Sequence, residues 1–150
     1  MFYGTFRHAV DSKGRVALPA QFRRDLGGAV IAPGAENRLV IRPAAEWQEY
    51  EQRFRLTADS SAEQRRYMRH LYAGAREVEV DAQGRILLSP EHRSFARIDD
   101  RAVFVGVSNV VEVVGEAMWD AETDGLDPQT FTELGDRVSS PRSTRAGEPA

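Results

Sequence analysis

Asp11 and Arg15 are the first residues in this chain whose types and spacing suggest chemistry. An Asp followed four residues later by an Arg, with Gly14 between them, is the pattern of a tight turn closed by an ion pair. The carboxylate can cap backbone N–H groups of the turn, and Gly14 supplies a positive φ without steric cost. The guanidinium is planar, always charged, and carries five donors in a rigid fork. That fork matches a phosphate, or the O6 and N7 edge of guanine. The pattern returns at Asp81, Gly84 and Arg85. Either turn alone could be scaffolding, because an exposed ion pair contributes only about 0–1 kcal/mol.

The recurrence extends well beyond the turn. Residues 4–18 laid over 74–88, at a constant offset of 70, match Gly, Val, Asp, Gly, Arg and Leu, and Arg23 and Arg93 extend the match. The offset then becomes 72, aligning Asn37 with Asn109 and Trp47 with Trp119, so copy two carries a two-residue insertion. Two aligned blocks with one small indel mark an internal duplication. The copies differ in charge. Residues 4–15 set Arg7, Lys13 and Arg15 against Asp11, a net +2, whereas 74–85 set Arg76 and Arg85 against Glu77, Glu79 and Asp81, a net −1. Scaffolding does not require that divergence; an anionic partner facing copy one favours it.

The elements that must position these turns follow from local pattern. Strands are expected at 4–10 and 75–80, a turn at each Asp-x-x-Gly-Arg segment, and strands again at 15–18 and 85–88. Pro19 and Pro90 open short helices over 19–26 and 90–96. Further strands are expected at 29–32, 39–42, 102–107 and 110–114, rich in Val, Ile and Leu. Between the copies, Trp47, Tyr50 and Phe54 share one helical face, and Ser60-Ser61-Ala62-Glu63 reads as a capping box for a second helix. That helix carries an apolar stripe of Tyr67, Met68, Leu71 and Tyr72, suited to core or subunit interface, with Arg65, Arg66, Arg69 and His70 solvated opposite. Asp127-Pro128 caps a single turn carrying Phe131 and Leu134 that Gly135 ends. The mixture of residues from 139 to 150 reads as a disordered tail. The resulting division is a first repeat at 1–54, a helical connector at 55–73, a second repeat at 74–122 and an acidic, largely disordered tail at 123–150.

Composition excludes several classes. The chain has no cysteine, so disulfides, thiolate zinc sites and a cysteine nucleophile are absent, which suits a reducing cytosol. No apolar run approaches the roughly 20 residues of a membrane helix, and the first residues lack the order of a signal peptide; a soluble, intracellular protein is expected. His8, His70 and His92 have no second ligand at metal spacing, the glycines follow no phosphate-loop pattern, and no serine sits in a nucleophile elbow. The expectation is therefore no enzyme, no cofactor, no metal and no small-molecule substrate. The net charge of −3 hides an asymmetry: residues 1–115 hold 17 of the 20 basic and 15 of the 23 acidic residues, and 116–150 are net −5. A locally basic face can bind phosphate despite an acidic total, since screening limits each charge to about 8–10 Å.

At these residues the sequence resembles the MraZ family of bacterial transcriptional regulators. The start Met1-Phe2-Tyr3-Gly4, the segment running from Asp11 through Arg15 and Pro19 to Arg23, the second Asp81-Ala82-Gln83-Gly84-Arg85, and both Trp47 and Trp119 carry the likeness, over residues 1 to about 122. Each half is similar to the AbrB-like swapped-hairpin domain, whose strands interleave as a β-barrel. The resemblance implies a mostly β fold with helices (α+β), built of two tandem halves. It implies rings of identical subunits, association with the nucleoid in the cytoplasm, and binding to direct repeats upstream of the division and cell-wall gene cluster. That cluster begins with the family member's own gene and is usually repressed. Copy two departs from the pattern with Leu88-Ser89-Pro90 where two consecutive prolines are common, which predicts a shifted helix start.

The combined reading is a sequence-specific repressor that binds double-stranded DNA. Arg15 is its base or phosphate reader, Lys13 and Arg7 supply phosphate contacts, and Asp11 orients the turn. Asp81, Arg85, Gly14 and Gly84 are structural. The rival reading is a ring-forming scaffold for protein partners, with the Arg loops as inter-subunit ion pairs; a scaffold would not shift DNA from its own upstream region.

Overall fold

The computed structural model describes residues 1–139; of the tail expected from 139 to 150, all but Ser139, the last residue of a helix, lies outside the described residues. The chain divides into two compact units, Met1–Met118 and Trp119–Ala150. Copy one contributes β1 (Thr5–Ala9), β2 (Arg15–Ala17), α1 (Ala20–Arg23), β3 (Val30–Pro33) and β4 (Leu39–Arg42). A helical pair follows, α2 (Ala44–Arg53) and α3 (Ala62–Ala73). Copy two repeats the first set as β5 (Arg76–Glu77), β6 (Arg85–Leu87), α4 (Pro90–Phe95), β7 (Arg101–Val107) and β8 (Val110–Gly115). Two helices close the described chain, α5 (Glu116–Thr123) and α6 (Pro128–Ser139). The fold is α+β, with antiparallel strands throughout.

The two copies interleave rather than fold side by side. One sheet runs in the order β1-β7-β8-β4-β3-β5, and β2 pairs with β6 in a separate two-stranded ribbon. Exchanging each strand for its counterpart in the other copy reverses the six-strand order onto itself. The first unit is therefore a pseudo-dimer about an axis between β4 and β8. Its core repeats with the sequence: Val16 and Ile86, Leu18 and Leu88, Leu39 and Val111, and Ile41 and Val113 are all buried in one cluster. The match breaks at Phe22, which packs edge-on against Phe2 and Phe6, with ring centroids 5.5 and 5.2 Å away. Buried His92 takes its place in copy two, its Nε2 2.6 Å from the carbonyl oxygen of Gly74.

Local departures from the sequence expectations have identifiable causes. The strand expected at 75–80 pairs only through Arg76 and Glu77, opposite Ile31 and Val30, and the ladder ends with the Val78 N–H on Ala29 O, one residue before β3 begins. The helix expected over 19–26 is a single α-turn, continued by 3₁₀-type bonds from Asp25 N to Phe22 O and Leu26 N to Arg23 O. Copy two's Ser89 does not shift the helix start: α4 opens at Pro90, the position matching Ala20 of α1, with Ser89 Oγ accepting the His92 N–H as its N-cap. The capping box of α3 sits one residue later than expected. Ser61 accepts the Gln64 N–H and the Gln64 side chain accepts the Ser61 N–H, while Ser60 Oγ accepts the Thr57 N–H. Ser61→Ala should cost about 1 kcal/mol in urea unfolding; an unchanged midpoint would count against the cap. Gly135 does not end its helix. α6 continues for 12 residues, helped by Asp127 Oδ1 accepting the Thr130 N–H and by a Gln129–Glu133 contact one turn apart. These offset the roughly 1 kcal/mol that an interior glycine costs.

The helical pair builds a second small core on β3. Trp47, Met68, Leu71 and Ala32 are buried together, with Tyr50 and Phe54 packed against them. Tyr67 and Tyr72, at the margins of the stripe, stay nearly half exposed.

Candidate nucleic-acid interface

Both Asp-x-x-x-Arg segments fold into the same turn. In the first, Asp11 Oδ1 accepts the N–H groups of Lys13 (3.0 Å) and Arg15 (2.8 Å), and Arg15 Nε donates to Asp11 Oδ2 at 2.7 Å. In the second, Asp81 Oδ1 accepts from Gln83 and Arg85, each at 2.9 Å, and Arg85 Nε donates to Asp81 Oδ2 at 2.9 Å. Gly14 and Gly84 hold φ of +85° and +78°, the left-handed region that closes the turn. Among the described residues each Arg spends only Nε on its Asp. The terminal Nη groups of the fork stay available to an external acceptor.

The ribbon fixes where those forks point. Arg15 lies opposite Leu87 and Ala17 opposite Arg85, with Val16 opposite Ile86. Because strand side chains alternate, Val16 and Ile86 enter the core while Arg15, Ala17, Arg85 and Leu87 share the outer face. Arg15 and Arg85 are diagonal neighbours there, roughly 7–8 Å apart at the backbone. Leu87 between them is 64% exposed. The sequence separates the two Arg loops by 70 positions; the structure brings them onto one surface.

Two residues outside the turns lock this arrangement. Leu18 N donates to Gly84 O and Leu88 N to Gly14 O, so each glycine is bridged to the other copy. Arg23 donates from Nε to Leu18 O and lays its guanidinium against Gly84. Arg93 packs likewise on Gly14, and among the described residues its Nε is buried without a hydrogen-bond partner. The sequence carried a signal for this pair, since both arginines match at the repeat offset, but not for their crossing to the opposite copy.

The remaining expected residues divide. Lys13 is exposed at the tip of the first turn. Arg7 is not in the turn: it stands on β1 opposite Val103, with Nη1 3.3 Å from Glu116 Oε2, and Arg101 donates to the same carboxylate. Arg101 first, and then Arg7, hold the Glu116 carboxyl below its ordinary value.

Asp11 and Asp81 are likewise held below the usual aspartate value. The largest cause is the backbone N–H of Arg15 in one turn and of Arg85 in the other, each reinforced by the guanidinium. A depressed carboxylate stabilises the fold above the ordinary aspartate value, about 4, and the contribution is lost as pH falls through the folded value. Urea midpoints should therefore decline below about pH 4, with a shallower decline in an Asp11→Asn, Asp81→Asn double variant. An identical acid slope in the variant would remove the turns from the account.

Among the described residues no helix is long and apolar enough to cross a membrane. The chain matches the family described as "MraZ protein, putative antitoxin-like" twice, over residues 1–70 and 71–137. It is 43% identical over 121 residues to the transcriptional regulator MraZ of Desulforamulus reducens, covering 80% of this chain and 85% of the relative. The same-named protein of Moorella thermoacetica is 42% identical with the same coverage. That of Carboxydothermus hydrogenoformans is 36% identical over 139 residues, covering 92% of this chain and 96% of the relative. With two matched copies, the doubled turn and this length of shared sequence, the chain belongs to the MraZ family.

Proposed function

We propose that this protein is a DNA-binding transcriptional regulator whose outer ribbon face meets double-stranded DNA. The observation that supports it most is the preshaped Arg15 fork on the outer face of the ribbon, beside exposed Lys13, in a family whose named relatives are transcriptional regulators. Each Asp holds its Arg by Nε, so the fork is oriented before DNA arrives and loses little side-chain freedom on binding. Two-stranded ribbons fit the major groove, where Arg reads guanine and an apolar side chain such as Leu87 meets a thymine methyl. In this reading Arg15 is the principal reader. Lys13 adds a phosphate contact, and Arg7 does so by exchanging Glu116 for a phosphate oxygen. Asp11 orients Arg15, while Asp81 and Arg85 maintain the turn of copy two.

The sites are direct repeats upstream of the division and cell-wall genes that include its own gene, and occupancy represses them. Copies assemble as a homo-oligomeric ring on the nucleoid, so that several ribbons engage successive repeats. Joined sites gain through effective concentration, and two repeats near one helical turn apart should bind far better than one.

Footprinting on the DNA upstream of the gene, repeated across salt, tests this. Protection should cover spaced repeats, and log affinity should fall with log salt by about 0.9 per phosphate neutralised. No protection, with the protein folded and assembled, would favour a scaffold that recruits proteins.

A further inference from the structure

Arg23 and Arg93 hold equivalent places in the two copies, each laid over the glycine of the other copy's turn. Their surroundings differ. Arg23 is exposed, and its Nε donates to Leu18 O at 2.8 Å. Arg93 is half-buried and makes no matching bond to Leu88 O: its Nε is enclosed and bonds nothing among the described residues. No carboxylate among them pairs with it either. A half-buried guanidinium without a counter-charge is costly in the free protein, because the water it gives up is not replaced. A neutral side chain of similar length would pack on Gly14 without that cost. Packing alone therefore does not account for an arginine at this position.

An anion arriving from outside supplies what is missing. Only Nε is shut in, so the Nη groups of Arg93 stay open to solvent. The guanidinium lies 3.1 Å (Nε) and 3.2 Å (Cζ) from the place a Cβ on Gly14 would take. Gly14 joins Lys13 to Arg15, so Arg93 adds a third cation to turn one. The carboxylate of that turn, Asp11, is already held by Arg15 Nε at 2.7 Å. Turn two lacks this surplus: Gln83 stands where Lys13 does, and Glu79 precedes Asp81 by two residues. With α4 behind it and Gly14 beneath it, the guanidinium has a fixed plane and loses little freedom when an anion arrives. Two parallel N–H groups in that plane match the oxygens of a phosphate.

We propose that Arg93 of copy two is a phosphate-binding residue of the copy-one turn, its Nη groups taking a DNA backbone phosphate beside the contacts of Lys13 and Arg15. The site at turn one is thus assembled from both copies. This assignment rests on the DNA-binding reading above and adds a residue to it. Every nucleotide step carries the same phosphate, so Arg93 raises affinity without choosing sequence, and the choice stays with Arg15. Its unpaired charge weakens the free protein, and DNA relieves it.

The decisive experiment sets stability against binding in the full-length chain. Arg93→Met and Arg93→Gln, two neutral side chains so that a misfit of one does not decide, are compared with Arg23→Met and wild type. Removing an unpartnered charge should leave the urea midpoint at or above wild type in at least one Arg93 variant. Arg23→Met gives up its bond to Leu18 O and should lower the midpoint. In the folded Arg93 variant, binding to a repeat-containing duplex and to a scrambled one should weaken by the same factor, at least about tenfold, the worth of one charged hydrogen bond. The slope of log affinity against log salt should become shallower by about 0.9 for each turn engaged. A midpoint below wild type in both Arg93 variants would make the guanidinium a packing lock and overturn the proposal. Unchanged affinity and slope in a folded variant would overturn it too, and a loss confined to the repeat-containing duplex would make Arg93 a base reader instead. Wild type that binds neither duplex would take the DNA-binding reading down as well; wild type that binds, with a folded Arg93 variant matching it, overturns this assignment alone.

Discussion

Arg15→Ala is expected to weaken binding to the upstream repeats about 5- to 150-fold, the loss of one bidentate Arg contact worth about 1–3 kcal/mol. Arg85→Ala should leave that affinity near wild type. The comparison is demanding because the two arginines share one outer face and make the same contacts to their aspartates. What differs is the company they keep. Turn one presents Lys13 at its tip; turn two has Gln83 there, with Glu79 two residues before Asp81. A carboxylate beside the contact raises the cost of approaching phosphate, and losing a lysine removes a counterion-releasing group. Both variants, first shown to be folded and assembled, would be titrated against repeat-containing and scrambled DNA. Equal losses would mean that the ribbon is read symmetrically. Loss confined to Arg85→Ala would reverse the assignment, and no loss in either would place the DNA site elsewhere.

Gly14→Ala should destabilise the fold by at least about 3 kcal/mol, and Gly84→Ala by about 1–2 kcal/mol. Both glycines sit at positive φ, where any L side chain costs about 1–2 kcal/mol. They differ in what an added methyl would meet. At Gly14 it would stand 2.5 Å from the backbone carbonyl of Leu88, with the Arg93 guanidinium 3.1–3.2 Å away. Leu88 is fixed by its own bond to Gly14 O, so neither strand of the ribbon can yield without losing pairing. At Gly84 the obstacle is the end of the Arg23 side chain, which can swing aside at the expense of its bond to Leu18 O. Urea unfolding of the two variants at matched m-values decides the matter. Equal destabilisation would show that conformational strain alone, and not the crossing of the copies, sets the effect.

Much of this architecture is legible in the chain. The duplication, the turns and most strand positions follow from Asp, Gly and Arg at fixed spacing and from runs of Val, Ile and Leu. The β4 strand forms at the expected 39–42. What the sequence cannot disclose is which copy a strand pairs with. Val103 and Phe104 are apolar whichever neighbour covers them, so nothing local says that β7 takes β1 rather than β5. For the same reason Arg15 and Arg85 read as separate sites until the ribbon register joins them. In sequence Arg7 groups with the basic residues of the first turn, because Glu116, with which it pairs, is more than a hundred residues away. The α3 cap slipped by one because Ser60 and Ser61 are both competent and both have an acid or amide three residues on. Only the direction of the preceding chain chooses between them.

The interleaving also sets when the fold can exist at all. β1 pairs with β7, β4 with β8 and β2 with β6, and β3 carries β5 on its outer side, so every strand of copy one has a partner in copy two and only β3 and β4 also pair with each other. A nascent chain emerging as far as α3 has one hairpin and a set of unsatisfied edges, with no sheet on which to close. Pairings this distant in sequence are slow to form, because loop-closure entropy must be met before contacts reward it. The ribosome must release β8 before the first unit can become native. Until then the half-made chain exposes Val, Ile and Leu strands of the kind that chaperones engage. Fusing the two copies in one polypeptide turns what would be an encounter between separate molecules into an event within one chain, at a fixed one-to-one ratio. It also lets each turn change independently, as Lys13 and Gln83 already have.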